Sequence, residues 1–202
     1  MSNANPVVFV VDDDVSVRKS LQLLMGSEGW QTHTFASAKE FLSSPRAPVP
    51  SCLVLDVTLP DINGLELQRR VAVDRTDMPI IFISGYGDVP TTVRAMKAGA
   101  VDFLEKPVRP EELLAGLERA LGQARDGAKM SASRDAAATQ VASLTTRQRQ
   151  ILDLVLAGHP SKNIAADLGI SQRTVDNHRA AIMKKTGSKS VPALIRTALA
   201  AA

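Results

Sequence analysis

The first 120 residues alternate short apolar runs with amphipathic stretches, and that alternation constrains what the chain can fold into. The runs are Val7–Val11, Thr32–Phe35, Leu53–Leu55, Pro79–Ile83 and Val101–Leu104. They are short, continuous and rich in Val and Ile, as parallel strands covered on both faces are. Between and after them lie segments with helical spacing, near Val15–Gly26, Ala38–Ser43, Gly64–Val73, Val89–Ala98 and Glu111–Ala124. Strand and helix in turn predict an α/β sheet with helices on both faces.

Five strands and five helices over residues 1–121 fit a flavodoxin-like, doubly wound, five-stranded parallel sheet. At residues 122–142 glycines, serines and an Ala-rich run replace the alternation, which reads as a linker, helical in part. Residues 143–202 are patterned for helix only and read as a separate all-α domain of four helices. Thr145 with Gln148 makes a capping box, followed by a stripe of Ile151, Leu152, Val155 and Leu156 and a stop at Gly158. A second helix spans Lys162 to Leu168, Gly169 turns the chain, and Ser171 caps a third helix that runs to Lys185. Ser190 and Pro192 open a fourth.

Charge separates along the same boundary. Residues 1–120 hold 12 Lys/Arg and 16 Asp/Glu, whereas residues 141–202 hold 9 and 3. An acidic front and a basic back suit different partners, and the basic end is the candidate for nucleic acid. The single cysteine, Cys52, allows no internal disulfide and reads as a small buried hydrophobe. Residues 1–6 lack a basic signal region, and Val7–Val11 is too short for a signal core or membrane span. A reducing cytoplasm, with no membrane partner, is the expected setting.

The chemistry lies at the ends of the apolar runs. The first ends in Asp12-Asp13-Asp14, the third in Asp56, the fourth in Ser84-Gly85 and the fifth in Glu105-Lys106-Pro107. In a parallel sheet these ends share one edge, where open α/β folds bind ligands. Clustered carboxylates repel one another, and a bound cation relieves the repulsion. Oxygen ligands suit Mg²⁺. A carboxylate can attack phosphorus, and a metal, a lysine and a hydroxyl can stabilise the transferring phosphoryl group. Asp14 reads as the N-cap of the following helix.

On these residues the front half resembles a two-component response-regulator receiver of the FixJ/NarL type. The resemblance covers residues 6–120. It rests on Val10-Val11-Asp12-Asp13-Asp14, Leu55-Asp56-Val57, Leu59-Pro60-Asp61-Ile62-Asn63-Gly64, Ser84-Gly85-Tyr86-Gly87-Asp88-Val89-Pro90 and the run from Ala95 to Pro107. It implies that Asp56 accepts a phosphoryl group from a sensor histidine kinase. It also implies Asp13 as a direct Mg²⁺ ligand, Asp12 as a ligand through water, and Asp56 and the Thr58 backbone carbonyl as further ligands. Ser84 and Lys106 would hold the phosphate, with a cis peptide between Lys106 and Pro107. Phe103 falls at the switch aromatic, and plain core packing explains it equally well. The surface around Val93 and Lys97 would form a homodimer on phosphorylation. Two positions depart from the family: Tyr86 stands where close relatives often have His, and Ser84 replaces the more frequent Thr.

In the basic half, a short helix, a glycine turn and a capped second helix over Ala165 to His178 fit a helix-turn-helix. Recognition helices place their N-terminal residues against base edges in the major groove. Gln172, Arg173, Thr174, Asp176 and Asn177 occupy those positions, with Arg179 and Lys184 nearby. Asn can pair with adenine and Asp can accept from cytosine, although Asp176 could equally complement the helix dipole. Lys162, Arg173, His178, Lys184 and Lys185 are candidates for phosphate contacts. His33 and His159 lack metal-ligand spacing and read as structural. Residues 144–199 are similar to a LuxR-type effector domain through Leu144-Thr145-Thr146-Arg147, Asn163-Ile164-Ala165, Leu168-Gly169-Ile170-Ser171, Thr174-Val175 and His178-Arg179. Gln148 and Gln150 stand where relatives often have Glu, which removes a helix-helix ion pair and keeps the capping box.

Together the two resemblances imply a phosphorylation-controlled transcriptional regulator that binds double-stranded promoter DNA, with RNA polymerase as a further partner, and not an enzyme. Two other readings compete. Asp12-x-Asp14-x-Ser16 resembles the opening motif of haloacid-dehalogenase-like phosphatases, with Asp12 as nucleophile, but leaves Asp56 and the basic half without a role. A constitutive DNA binder with a degenerate receiver conflicts with the complete set of pocket residues.

Overall fold

The structure, a computed structural model, describes residues 6–44, 50–74, 78–85, 87–122 and 137–201. Its strands are β1 (Val7–Val11), β2 (Gln31–Phe35), β3 (Ser51–Asp56), β4 (Ile80–Ser84) and β5 (Asp102–Glu105). Between and after them come α1 (Val15–Ser27), α2 (Ala38–Ser43), α3 (Gly64–Asp74), α4 (Val89–Lys97) and α5 (Pro110–Gly122). Four helices follow: α6 (Thr146–Leu156), α7 (Ser161–Leu168), α8 (Gln172–Thr186) and α9 (Val191–Ala200). Of the expected linker, residues 123–136 lie outside the described residues, and residues 137–142 are helical. Two compact units emerge, bounded as Met1–Tyr86 with Ala98–Ala124, and Gly87–Lys97 with Arg125–Ala202, so α4 groups with the later helices. No helix among the described residues is long and apolar enough to cross a membrane.

In the first unit the five strands run parallel in the order β2-β1-β3-β4-β5, the doubly wound arrangement expected from the alternation. Every residue of β1 and β4 is buried, which explains why these runs show no polar alternation. β2 lies at the sheet edge, and its exposed Gln31 and His33 show the alternation that the central strands lack. One core contains Val8, Val10, Val54, Ile81, Ile83, Leu113 and Leu117, with Leu21 and Met25 from α1. α5 approaches β4 closely at Gly116, where a Cβ would stand 3.1 Å from the Ile81 Cδ1. An aromatic cluster of Phe9, Phe35 and Phe41 fills the space under α2, with Phe35 and Phe41 edge to face at 5.5 Å.

The six-residue helix α2 is held by a carboxylate from another part of the chain. Ser37 caps it locally through the Glu40 amide, at 3.2 Å. Asp61, in the loop between β3 and α3, accepts from the amides of Ala38 at 3.2 Å and Lys39 at 2.7 Å. Those amides are among the donors that a helix start leaves unpaired. Slight burial raises the Asp61 carboxyl, but the backbone N–H groups of Lys39 and Ala38 outweigh it and hold the group below the ordinary carboxylate value.

In the second unit, α6 begins at the expected capping box, with the Gln148 amide donating to the Thr145 hydroxyl at 3.3 Å and the Thr145 amide to Gln148 Oε1 at 3.1 Å. Gly169, at φ +64°, ends α7 in the left-handed region and turns the chain into α8. Ile151, Leu152, Val155, Ile164, Val175, Ile182 and Leu194 form its core.

Asp61→Ala should lower stability by about 1 kcal/mol at neutral pH. Because the folded carboxyl sits below its unfolded value of about 3.9, this contribution is fully present above that value and fades as pH falls through the folded one. Urea unfolding followed by the emission of Trp30, which packs against the first unit's core, checks both statements. Equal stability of variant and parent at neutral pH would remove Asp61 from this role.

Candidate functional site

The register of the sheet assembles the acidic crevice. Val11 pairs with Leu55, so Asp12 and Asp56 stand side by side at the ends of β1 and β3. Asp56 pairs with Ile83, which places Ser84 one residue further out on β4. Ser84 in turn pairs with Glu105, and Lys106 follows it. Three strand junctions thus bring residues from distant parts of the chain to one edge.

Lys106 is the hub. Its Nζ lies 2.6 Å from Asp56 Oδ2 and 2.7 Å from Asp12 Oδ2. Asp12 is fully buried and Asp56 is 4% exposed, whereas Asp13 faces solvent. Asp56 Oδ1 accepts from the Thr58 amide at 3.0 Å, and Asp12 Oδ1 accepts from the Asp14 amide at 2.8 Å. Asp12 Oδ2 takes part in the ion pair yet is angled out of line for a hydrogen bond. Burial raises the Asp12 carboxyl above its ordinary value, against the lowering effects of Lys106 and the Asp14 amide. Burial also pulls the Lys106 ammonium down, but its close pairing with the Asp12 and Asp56 carboxylates more than offsets this and holds it above the usual lysine value.

The donor set fits a hard cation. Asp12, Asp13 and Asp56 each offer one carboxylate oxygen, all within 4.8 Å of one another. The incompletely hydrogen-bonded Asp12 Oδ2 adds a buried oxygen with remaining capacity. Ser84 is buried at the adjacent strand end, and Lys106–Pro107 is cis. Phe103 is buried and stacks on Phe82 with ring centroids 6.0 Å apart. Its amide donates to Asp102 Oδ1 at 3.0 Å, and Asp102 is also paired with Arg119 of α5. Val93, expected at a surface, is only 3% exposed, whereas Lys97 is exposed. Tyr86 lies outside the described residues.

Two residues to which the sequence alone assigns no role support the crevice. Arg18, on the second turn of α1, donates through Nη1 to the Asp12 carbonyl at 2.6 Å. Asp14 starts the same helix by accepting from the Ser16 amide at 2.7 Å, so both ends of the acidic loop are fastened to α1. Gly64 donates its amide to the Val57 carbonyl at 2.8 Å, and a Cβ there would stand 2.3 Å from the Asp56 carbonyl oxygen. The signal for Gly64 was its place at the end of the Leu59–Gly64 motif. For Arg18 it was the spacing of one helical turn after Asp14.

In the second unit, α7, the Gly169 turn and α8 form the helix-turn-helix. Ser171 accepts from the Thr174 amide at 3.1 Å and caps α8. Val175, Ile182 and Thr186 face inward. Lys162, Gln172, Arg173, Asp176, Asn177 and Lys184 are exposed, and His178 is half-buried. Three other candidates for DNA contact have partners inside the protein. The Thr174 hydroxyl lies 2.8 Å from that of Ser171, and Arg179 donates to Ser161 Oγ at 2.6 Å. Lys185 donates to Gln148 Oε1 at 3.0 Å and to the Ser143 carbonyl at 3.2 Å. Gln148 thus keeps a link between α6 and α8 without the negative charge of a glutamate. His159 approaches Asp167 at 3.1 Å, a structural contact.

Residues 8–118 match the response regulator receiver domain, and residues 142–198 match the bacterial regulatory proteins of the luxR family. The chain is 44% identical over 197 residues to Nodulation protein W of Bradyrhizobium diazoefficiens, covering 96% of this chain and 86% of that protein. It is 40% identical over 194 residues to the transcriptional regulatory protein FixJ of the same organism, covering 96% and 95%. Among solved structures, the response regulator StyR shares 41% identity at a TM-score of 0.57, with 96% of this chain and 98% of StyR covered.

Gly64→Ala should displace the loop after β3, because the new Cβ meets backbone rather than a movable side chain. A stability loss on the order of 2 kcal/mol, with weakened Mg²⁺ binding, is the expected result in urea unfolding and metal titration. Parent-like values in both would show that the loop does not need the close approach.

Proposed function

The chain belongs to the response regulators, with a receiver domain followed by a LuxR-type DNA-binding domain, and on that premise we propose that Asp56 is its phosphoacceptor and the exposed face of α8 its base-reading surface. Regulators of this build act on transcription under the control of phosphorylation, and this chain is one of them rather than an enzyme. The observation that carries the residue assignment is Lys106, within 2.7 Å of both Asp12 and Asp56 at the carboxyl edge of the sheet.

A sensor histidine kinase is the donor. An Asp56 oxygen attacks the phosphorus, the bond from phosphorus to the kinase histidine breaks, and the imidazole leaves with its electron pair. Lys106 meets the incoming phosphoryl oxygens, and Ser84 offers a hydroxyl from the adjacent strand end. Asp12, Asp13, Asp56 and the Thr58 carbonyl would hold Mg²⁺, which when bound neutralises charge on the transferring oxygens. Arg18 and Gly64 hold the two loops that present these ligands.

After transfer, Ser84 and Lys106 draw toward the phosphoryl group and the packing of Phe103 against Phe82 adjusts. The surface around Val93 and Lys97 on α4 then pairs with a second copy, with Lys97 as its exposed representative. A symmetric dimer presents two α8 helices to a two-fold related promoter site. Lys162, Arg173 and Lys184 bind phosphates there, while Gln172, Asp176 and Asn177 face base edges. His178 serves at the rim, and Arg179, Lys185 and Thr174 position the helix through their internal bonds. RNA polymerase is the partner through which bound promoter DNA changes transcription. The role places the chain where the chromosome is, in the cytoplasm.

With acetyl phosphate and Mg²⁺ the parent should take up label that maps to Asp56, and Asp56→Asn should take up none. Beryllofluoride should tighten promoter binding by the parent on the order of tenfold and leave the variant unchanged. Label on Asp12 would instead favour the phosphatase chemistry, and an unmoved DNA affinity would remove the switch.

A further inference from the structure

We propose that Asp176 is a specificity filter on α8: it weakens binding to DNA in general and is satisfied only where the major groove presents an exocyclic amine, cytosine N4 before adenine N6. This rests on α8 being the base-reading helix.

α8 carries Arg173, Arg179, Lys184 and Lys185, and Asp176 is its only acidic residue. The carboxylate is exposed, on the same face as Gln172 and Arg173 one turn before it and beside Asn177. Nothing among the described residues accounts for it. The helix dipole favours acidic groups in the first turn. That turn holds none here, and Asp176 is the fifth residue of α8. Arg173 and Arg179 lie three residues to either side, the spacing of a helical ion pair. Arg179 instead donates to Ser161 Oγ at 2.6 Å. Among the described residues the Asp176 side chain has no ion pair or hydrogen bond. Asp167, by comparison, is paired with His159 at 3.1 Å.

A bare carboxylate on a surface meant for DNA weakens binding twice. It repels the phosphates that supply non-specific affinity. Within the groove it also loses water, which is unfavourable unless a donor replaces that water. Guanine N7 and O6 and thymine O4 are acceptors and cannot do so. Cytosine N4 and adenine N6 carry donor hydrogens at the groove edge, and Asp with cytosine N4 is a recognised pairing. The residue therefore excludes sites by repulsion as much as it selects one by contact, which is how discrimination is raised without raising affinity.

The test uses the full chain activated with beryllofluoride. Random duplexes are selected with the parent, Asp176→Asn and Asp176→Ala, and affinities are measured for the parent's selected site and for a scrambled duplex. Both variants should bind the scrambled duplex more tightly, and the ratio of selected to scrambled affinity should fall roughly tenfold. The Asp176→Ala profile should lose a cytosine or adenine requirement at one position per half-site and keep the others, and the Asp176→Asn profile should lose a cytosine requirement there. If the parent selects a site but the variants keep its profile and its ratio, Asp176 is not a filter and the assignment of α8 stands. If the parent enriches no sequence at all, the assignment of α8 fails and this inference fails with it.

Discussion

One ammonium group stands between two buried carboxylates, and the receiver crevice depends on it. Parallel pairing of β1 with β3 forces Asp12 and Asp56 side by side, and Asp13 completes a set of carboxylate oxygens within 4.8 Å. Such a cluster is unfavourable without positive charge. Lys106 supplies that charge from the end of β5, close to both buried partners. The surrounding loops keep this geometry. Arg18 fastens the carbonyl of Asp12 to α1, and Gly64 lets the loop after β3 pass close to the Asp56 carbonyl. Asp61, in that same loop, then caps α2 from a distance.

The doubly wound parallel sheet and the strand ends that form its carboxyl edge were legible in the sequence because their signals are local. A buried parallel strand is an apolar run, and the residues directly after that run lie at the carboxyl edge. Boundaries moved where a strand end or a helix start is set by pairing: β2 begins at Gln31, β3 at Ser51 and α5 at Pro110. Other features were not legible for a common reason. The contacts of Arg18 and Gly64 are with backbone carbonyls, and a carbonyl leaves no mark in the residue type that carries it. The family resemblance puts Val93 at a dimer surface, but whether a helix face is covered depends on what packs there. The grouping of α4 with the later helices likewise has no sequence signature.

Counting cations overstates the DNA surface for a physical reason. Arginine and lysine are also the side chains long enough to tie one helix to another. Arg147 reaches the Leu168 carbonyl at the end of α7, Arg179 reaches Ser161, and Lys185 bridges to Gln148 and Ser143. Such bonds fix the angle at which α8 is presented, which matters to base reading, while removing those groups from the set free to meet phosphate. The exposed remainder, Lys162, Arg173, Lys184 and Lys189, is a smaller set than the basic composition suggests. A modest phosphate contribution would leave more of the proposed discrimination to Gln172, Asp176 and Asn177.

The same ammonium that stabilises the crevice gives phosphorylation its lever. Lys106 is held by two carboxylates, so a phosphoryl group on the proposed acceptor Asp56 would compete with Asp12 for its donors rather than add to an idle site. Lys106 cannot respond alone, because its amide donates to the Ser84 carbonyl at 2.8 Å and ties the ends of β4 and β5 together. Three residues earlier on β5 is Phe103, packed against Phe82 of β4. Its neighbour Asp102 is paired with Arg119 of α5. A closely packed interior passes a shift of this kind between discrete arrangements instead of absorbing it. Redirecting one ammonium therefore bears on β4, β5 and α5 together, elements linked to the crevice by backbone pairing, ring packing and an ion pair.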